Sequence, residues 1–199
     1  GPTAPDPTSK TDALRILEKY NLTNKIPLSI IQSLQETVKP NDPLLHKVQN
    51  VIVASNEIAL LGAKTRAQYE GFQTKIIYRG MQGEARQVGI ELASVFKQSL
   101  KEMRRPFCLL AGGETTVTLS GEGKGGRNQE LALSSVEVLA GLENIILISV
   151  ATDGEDGPTD AAGAVVTGES AQRAKSLGMN AADYLSRNDA YTFFDTLND

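Results

Sequence analysis

The chain has 199 residues, 40% of them hydrophobic and 22% charged, with a formal net charge of −4. That length suits one domain or a small two-lobed unit with a proper core, and no apolar run approaches the roughly 20 residues that a membrane-spanning helix requires. The acidic balance argues against a nucleic-acid surface, which would show a basic stripe interleaved with aromatics.

The opening, "GPTAPDPTSK", spaces Pro2, Pro5 and Pro7 along a polar segment and reads as extended linker cut from something longer. Ser9 or Thr11 can cap a helix over Asp12 to Tyr20, which Asn21 stops, and Pro27 opens a short helix over Leu28 to Glu36. Lys39 to Pro43 is a proline-bearing loop. From residue 48 the pattern alternates: a β-branched run from Val48 to Ala54, a cap at Ser55, a helix over Glu57 to Glu70, a stop at Gly71 and a strand over Thr74 to Tyr78. Residues 84–104 read as a long amphipathic helix. Strands follow at Phe107 to Ala111 and Thr115 to Leu119, close enough for a hairpin, then a helix over Glu130 to Ala140 and a buried strand over Ile145 to Val150. Asn188 to Phe194 reads as a capped helix with aromatic packing. Helices alternating with apolar strands predict an α/β fold, a three-layer sandwich with a mixed, mostly parallel sheet.

The single cysteine, Cys108, sits in an apolar strand, and the single histidine, His46, in a polar loop. The pair supplies neither a thiol–imidazole dyad nor a zinc ligand set, and one unpaired cysteine fits a reducing, cytoplasmic compartment.

In open α/β sheets, ligands sit beyond the carboxyl ends of strands. Two segments have that address: Ala111-Gly112-Gly113-Glu114, and Ala151 to Asp160 with Asp153, Glu155, Asp156 and Asp160. Between them lies "GEGKGGRNQE", with four glycines in six residues before a helix. A glycine loop feeding a helix N-terminus offers unpaired N–H groups to phosphate or carboxylate oxygens. Lys124 and Arg127 add full charges, and the planar fork of Arg127 suits bidentate capture of an oxyanion. A plain turn with a capped helix start fits the same residues. No P-loop is present, because Lys124 is followed by Gly125, and "GEGKGG" is a weak dinucleotide match without the acidic residue that should end the next strand. Carboxylates at a strand end serve as hard-cation ligands or as a base toward a hydroxyl, and Asp153 is the first one off the strand.

"GPTAPDPT", "GGETTVTLSGEGKGGRNQE", "ATDGEDGPTDAAGAVV" and "NDAYTFF", in this order and spacing, resemble the class II glycerate 2-kinase family, also known as hydroxypyruvate reductase-like. Nearly the whole chain resembles the C-terminal domain of those proteins, the "multi-organism fragment rich in leucine". Family members are about twice as long, with an N-terminal Rossmann-like domain before the "GPT" segment and a glycine- and threonine-rich segment after "TFF". The resemblance implies that residues 1–45 are linker and the helical tail of a preceding domain, that 46–199 form the C-terminal α/β domain, and that this piece alone is inactive. It implies transfer of the γ-phosphoryl group of ATP to the 2-hydroxyl of D-glycerate, with Mg²⁺. Arg127 would then hold the glycerate carboxylate or a nucleotide phosphate, and Asp153 would act as base or metal ligand. Asp156 would be a second ligand, and Gly112, Gly113, Glu114, Lys124, Gly125, Gly126 and Asn128 would shape the anion pocket. An exposed cleft face implies some association, such as a homodimer. The alternatives are an NAD(P)H-dependent hydroxypyruvate reductase, for which no fingerprint is present, and a non-catalytic anion-binding module.

Overall fold

The computed structural model describes residues 3–199. The chain divides into two compact units, one ending at Val53 and one running from Ala54 to Asp199.

In the first unit, Ser9 and Asp12 form a reciprocal capping box at the start of α1 (Lys10–Lys19), as the local sequence predicts. Asn21, at φ 54°, ends it. The short helix α2 (Leu28–Ser33) follows, then a 3₁₀ turn at Pro43–Lys47. The stretch from Asp6 to Thr8 lies along residues 37–39: Asp6 accepts the Thr37 hydroxyl at 3.0 Å and the Lys39 ammonium donates to Thr8 O at 2.6 Å. Neither helix contains a buried residue.

The second unit opens on α3 (Asn56–Tyr69), capped by Ser55, whose hydroxyl accepts the Ile58 N–H, and terminated by Gly71 at φ +87°. A βαβ unit follows: β1 (Gln73–Met81), α4 (Ala85–Glu102) and β2 (Phe107–Gly113), with β1 and β2 parallel and paired from Gln73↔Phe107 to Met81↔Gly113, the register shifting between Ile76 and Tyr78 and again between Tyr78 and Met81. Helix α3 packs on both strands. Helix α5 (Arg127–Leu139) is the central element, buried almost all round from Gln129 to Val136. It packs against α4 and against β3 (Ile146–Val150) and β4 (Gly163–Thr167), which pair antiparallel. Three short helices close the unit: α6 (Ser170–Ser176), α7 (Ala181–Ser186) and α8 (Ala190–Leu197). Phe193, fully buried, meets Tyr184 and Phe194 edge-on at 5.4 and 5.2 Å and anchors α8 beside Leu133, Val136, Leu139 and Val166.

The α/β class holds, with parallel and antiparallel pairing both present. The pairing forms two two-stranded ladders, β1–β2 and β3–β4. Met81 of β1 and Leu147 of β3 pack against one small cluster, Ala85, Val88 and Leu131 of α4 and α5, so both ladders rest on the same helices.

Two local expectations fail. Val48 to Ala54 is not a strand; Val51, Ile52 and Val53 are exposed, and no ladder partner satisfies their backbone among the described residues. Thr115 to Leu119 forms no hairpin with β2. It runs on as an extended segment joined by a single parallel bridge, Thr116 to Glu84, in the loop before α4.

Candidate active site

The glycine-rich segment is held along most of its length. Where β2 ends, the Glu114 N–H donates to Met81 O at 2.8 Å, and the Thr116 N–H donates to Gly83 O at 2.9 Å. Glu84 takes both the hydroxyl and the N–H of Thr118, at 2.7 and 3.1 Å, and the hydroxyl contact leads in holding the carboxyl below its usual range. Asn188 accepts the N–H groups of Ser120 and Gly121. The Gly123 N–H donates to Arg187 O at 2.9 Å, the Lys124 N–H to Asp189 Oδ1 at 3.1 Å, and the Tyr191 N–H to Lys124 O at 2.9 Å.

The glycines therefore serve close backbone contact rather than looseness. A Cβ at Gly123 would stand 2.5 Å from Arg187 O, and one at Gly126 would collide with the Asp156 backbone and carboxyl carbon. Gly125 has more room, with Ala190 Cβ at 3.3 Å.

The start of α5 already has its anion. Asp156, 1% exposed, reaches back from the loop after β3. Its Oδ1 accepts the backbone N–H and the side-chain amide of Asn128, each at 3.0 Å, and its Oδ2 accepts the Gln129 N–H at 2.8 Å. A carboxylate at a helix N-terminus satisfies orphan donors and complements the macrodipole. The Asn128 amide oxygen in turn accepts the Ser149 hydroxyl at 3.1 Å, and the Gln129 amide donates to Asp156 O and Thr159 Oγ1. Asn128 and Asp156 thus meet each other within the fold.

The exposed charges lie around this frame. Arg127, the first residue of α5, donates to Glu114 at the end of β2 at 2.6 Å, and both side chains are solvent-accessible. Lys124 places its ammonium 4.1 Å from the centre of the Tyr191 ring. The Tyr191 hydroxyl donates to Asp160 at 2.7 Å, which holds the Asp160 carboxyl below its usual range and pushes the Tyr191 phenol up. Asp153 sits exposed in the turn after β3, and its carboxylate accepts no hydrogen bond among the described residues. Gly113 abuts Met81, and Gly112 abuts the Asn56 side chain. The structure therefore joins Glu114 with Arg127, Asn128 with Asp156, and Gly126 with Asp156, and leaves Asp153 bonded to none of them.

No group of three or more His, Cys, Asp or Glu side chains among the described residues is arranged to hold a metal ion. Both Asp156 oxygens are engaged on α5, so its expected part in a metal site has no open lone-pair direction equal to that of Asp153.

A buried polar group escaped the sequence reading. Glu130, 3% exposed, accepts Arg86 Nε at 2.8 Å and the Asn188 amide at 3.0 Å. The available signal was a glutamate inside the apolar run of α5, which must find a cation or donors when buried.

Residues 107–199 match the MOFRL family. The D-glycerate 2-kinase of Thermotoga maritima is 41% identical over 197 residues, covering 96% of this chain and 45% of its own length. The glycerate kinase of Homo sapiens is 36% identical over 239 residues, covering 98% of this chain and 46% of its own. The crystal structure of the Thermotoga maritima glycerate kinase superposes with a TM-score of 0.82 at 39% identity, over 96% of this chain and 46% of that one. The chain spans about half the length of the curated relatives it matches.

Proposed function

We propose that this chain, which matches the MOFRL family over residues 107–199, belongs with the glycerate 2-kinases and forms one wall of the active site of an ATP-dependent D-glycerate 2-kinase. The observation that carries this reading is the 41% identity to a D-glycerate 2-kinase over 96% of the chain. The opposite wall is an N-terminal Rossmann-like domain of the same polypeptide, to which residues 1–45 lead, and the cleft face also supports association as a homodimer. The place of action is the cytoplasm.

The glycerate 2-hydroxyl oxygen attacks the γ-phosphorus of ATP. A P–O bond forms, the β–γ bridging bond breaks, ADP departs, and the hydroxyl proton passes to Asp153, the exposed carboxylate at the end of β3. Arg127 offers its guanidinium fork to the glycerate carboxylate or to the moving phosphoryl group. Glu114 holds that fork at 2.6 Å and is exchanged for the incoming oxyanion. Lys124 adds a point charge, while Gly112, Gly113, Gly125, Gly126 and Asn128 give the backbone its close, shaped surface. Magnesium brought with the nucleotide would supply charge neutralisation, and Asp153 would be its ligand on this chain in place of acting as the base, in keeping with the few protein ligands that Mg²⁺ takes beside phosphates and water.

The test is a coupled ADP-release assay with ATP, Mg²⁺ and D-glycerate, on full-length protein and on residues 1–199. Glycerate-dependent release by the full-length protein alone is the expected result. No release by the full-length protein overturns the reading.

A further inference from the structure

We infer that Asn188 is the positioning residue that fixes the glycine-rich loop, and through it Lys124 and Arg127, for anion capture; the inference rests on the function proposed above. Asn188 is 5% exposed and occupies the left-handed region at φ 55° between α7 and α8. Its Oδ1 accepts the N–H of Ser120 at 2.7 Å, the N–H of Gly121 at 2.9 Å and the Ser120 hydroxyl at 3.2 Å. Its Nδ2 donates to Thr118 O at 3.3 Å and to Glu130 Oε2 at 3.0 Å. Rotating the amide by half a turn would set its NH₂ against two backbone donors and its oxygen against a carboxylate, so the orientation is fixed by its neighbours.

The carboxamide is therefore a bridge. On one side it grips three loop positions, Thr118, Ser120 and Gly121. On the other it is tied to Glu130, which is held by Arg86, whose guanidinium also donates to Leu185 O at 3.3 Å just before the Asn188 corner. The two residues flanking Asn188 continue the grip, with Arg187 O on Gly123 and the Asp189 carboxylate on Lys124. The corner Arg187–Asp189 is a template for the loop, anchored in the helix layer by the ion pair of buried Glu130 with half-buried Arg86. A loop ordered before ligand arrives costs the ligand no ordering entropy, and small displacements of charged groups weaken transition-state contacts disproportionately.

The experiment uses full-length protein. Asn188→Gly keeps the positive φ without strain and removes the carboxamide together with its methylene. The expected result is faster amide hydrogen exchange at Ser120 to Lys124 and a kcat/KM about tenfold lower, measured well below the melting temperature. Asn188→Asp alone would set a carboxylate oxygen against Glu130, so it is combined with Glu130→Gln, whose amide donates back; the double variant retains the acceptor for both loop N–H groups and tolerates positive φ, falls between wild type and Asn188→Gly in both readouts, and carries the test if the glycine variant does not fold. Leu139→Ala, which opens the core near the far end of α5, lowers the melting temperature and leaves kcat/KM unchanged. Unchanged exchange in the loop overturns the inference, as does a kcat/KM that follows the folded fraction alone. A wild type without glycerate-dependent ADP release sinks the proposed function instead; loop exchange in the variants then decides by itself whether Asn188 holds the loop.

Discussion

Asp156 accepts the Gln129 N–H at 2.8 Å across 27 positions of sequence, so the helix that begins the candidate site is capped by a carboxylate from the loop after the neighbouring strand. The loops following β2 and β3 are thereby joined at one point, and the acidic cluster divides into a buried structural member, Asp156, and an exposed one, Asp153.

Asp156→Ala is expected to destabilise the protein by about 1–3 kcal/mol, because it strips the cap and leaves the Asn128 and Gln129 N–H groups without a partner in a closed environment. Asp153→Asn is expected to leave the melting curve within about 0.5 kcal/mol of wild type and to lower the turnover of the full-length enzyme by orders of magnitude. Thermal unfolding and ADP release on the two variants check both halves; a stable Asp156→Ala protein contradicts the capping role.

Gly126→Ala and Gly125→Ala differ by one position and should differ in outcome. The added methyl at Gly126 collides with Asp156, whereas at Gly125 it meets the Ala190 methyl at 3.3 Å. Overpacking at the first should cost about 1–3 kcal/mol and the second under about 1 kcal/mol. Equal shifts in denaturation midpoint would mean that the loop is slack and that its close contacts with Asp156 are not maintained.

Much of this framework is legible from local pattern. The capping box at Ser9, the stop at Gly71, the long period of α4 and the apolar run of β3 each depend on neighbours within a few residues. What was not legible depends on residues brought together from afar. An aspartate between glycines reads equally as turn, ligand or cap until Asn128 is known to face it. Val48 to Ala54 has strand propensity, yet a strand also requires a partner. Strand β4, "GAVVT", is too short for its alternation to stand out, and Asn188 reads as a simple helix cap although its side chain grips a loop 68 residues earlier. Arg127 and Lys124 were found because glycine clusters and charge are local; their restraints, Glu114 and Tyr191, were not predicted as partners.

Arg127→Ala should separate activity from stability. The pair with Glu114 is solvent-accessible on both sides, and exposed pairs contribute at most about 1 kcal/mol. The variant should therefore melt close to wild type, while full-length enzyme loses about 10²-fold in kcat/KM, as expected for removal of a charge donor to a developing oxyanion. Arg127→Lys should recover little, since an ammonium lacks the fork. Wild-type kcat/KM in Arg127→Ala would remove this residue from the site.

Tyr191 and Asp160 set opposite ends of a pH window. The hydrogen bond from the phenol holds the Asp160 carboxyl below its ordinary range and pushes the Tyr191 phenol above its own. A depressed carboxylate contributes stability that is present above its unfolded value and is lost as pH falls through the lower folded one. A raised phenol contributes stability that is present below its unfolded value and is lost as pH rises through the higher folded one. The contribution of the contact is thus full from about pH 4 to about pH 10 and is lost progressively beyond both ends, as pH passes the lowered carboxyl and the raised phenol. Tyr191→Phe should return the Asp160 titration, followed by carboxyl NMR, toward the usual carboxylate range and flatten this part of the acid and alkaline limbs. Because both groups are exposed, the change in midpoint should be small and should shrink with added salt. An Asp160 titration identical in the two proteins would show that the contact is not kept in solution, and would leave Lys124 resting on an unrestrained ring.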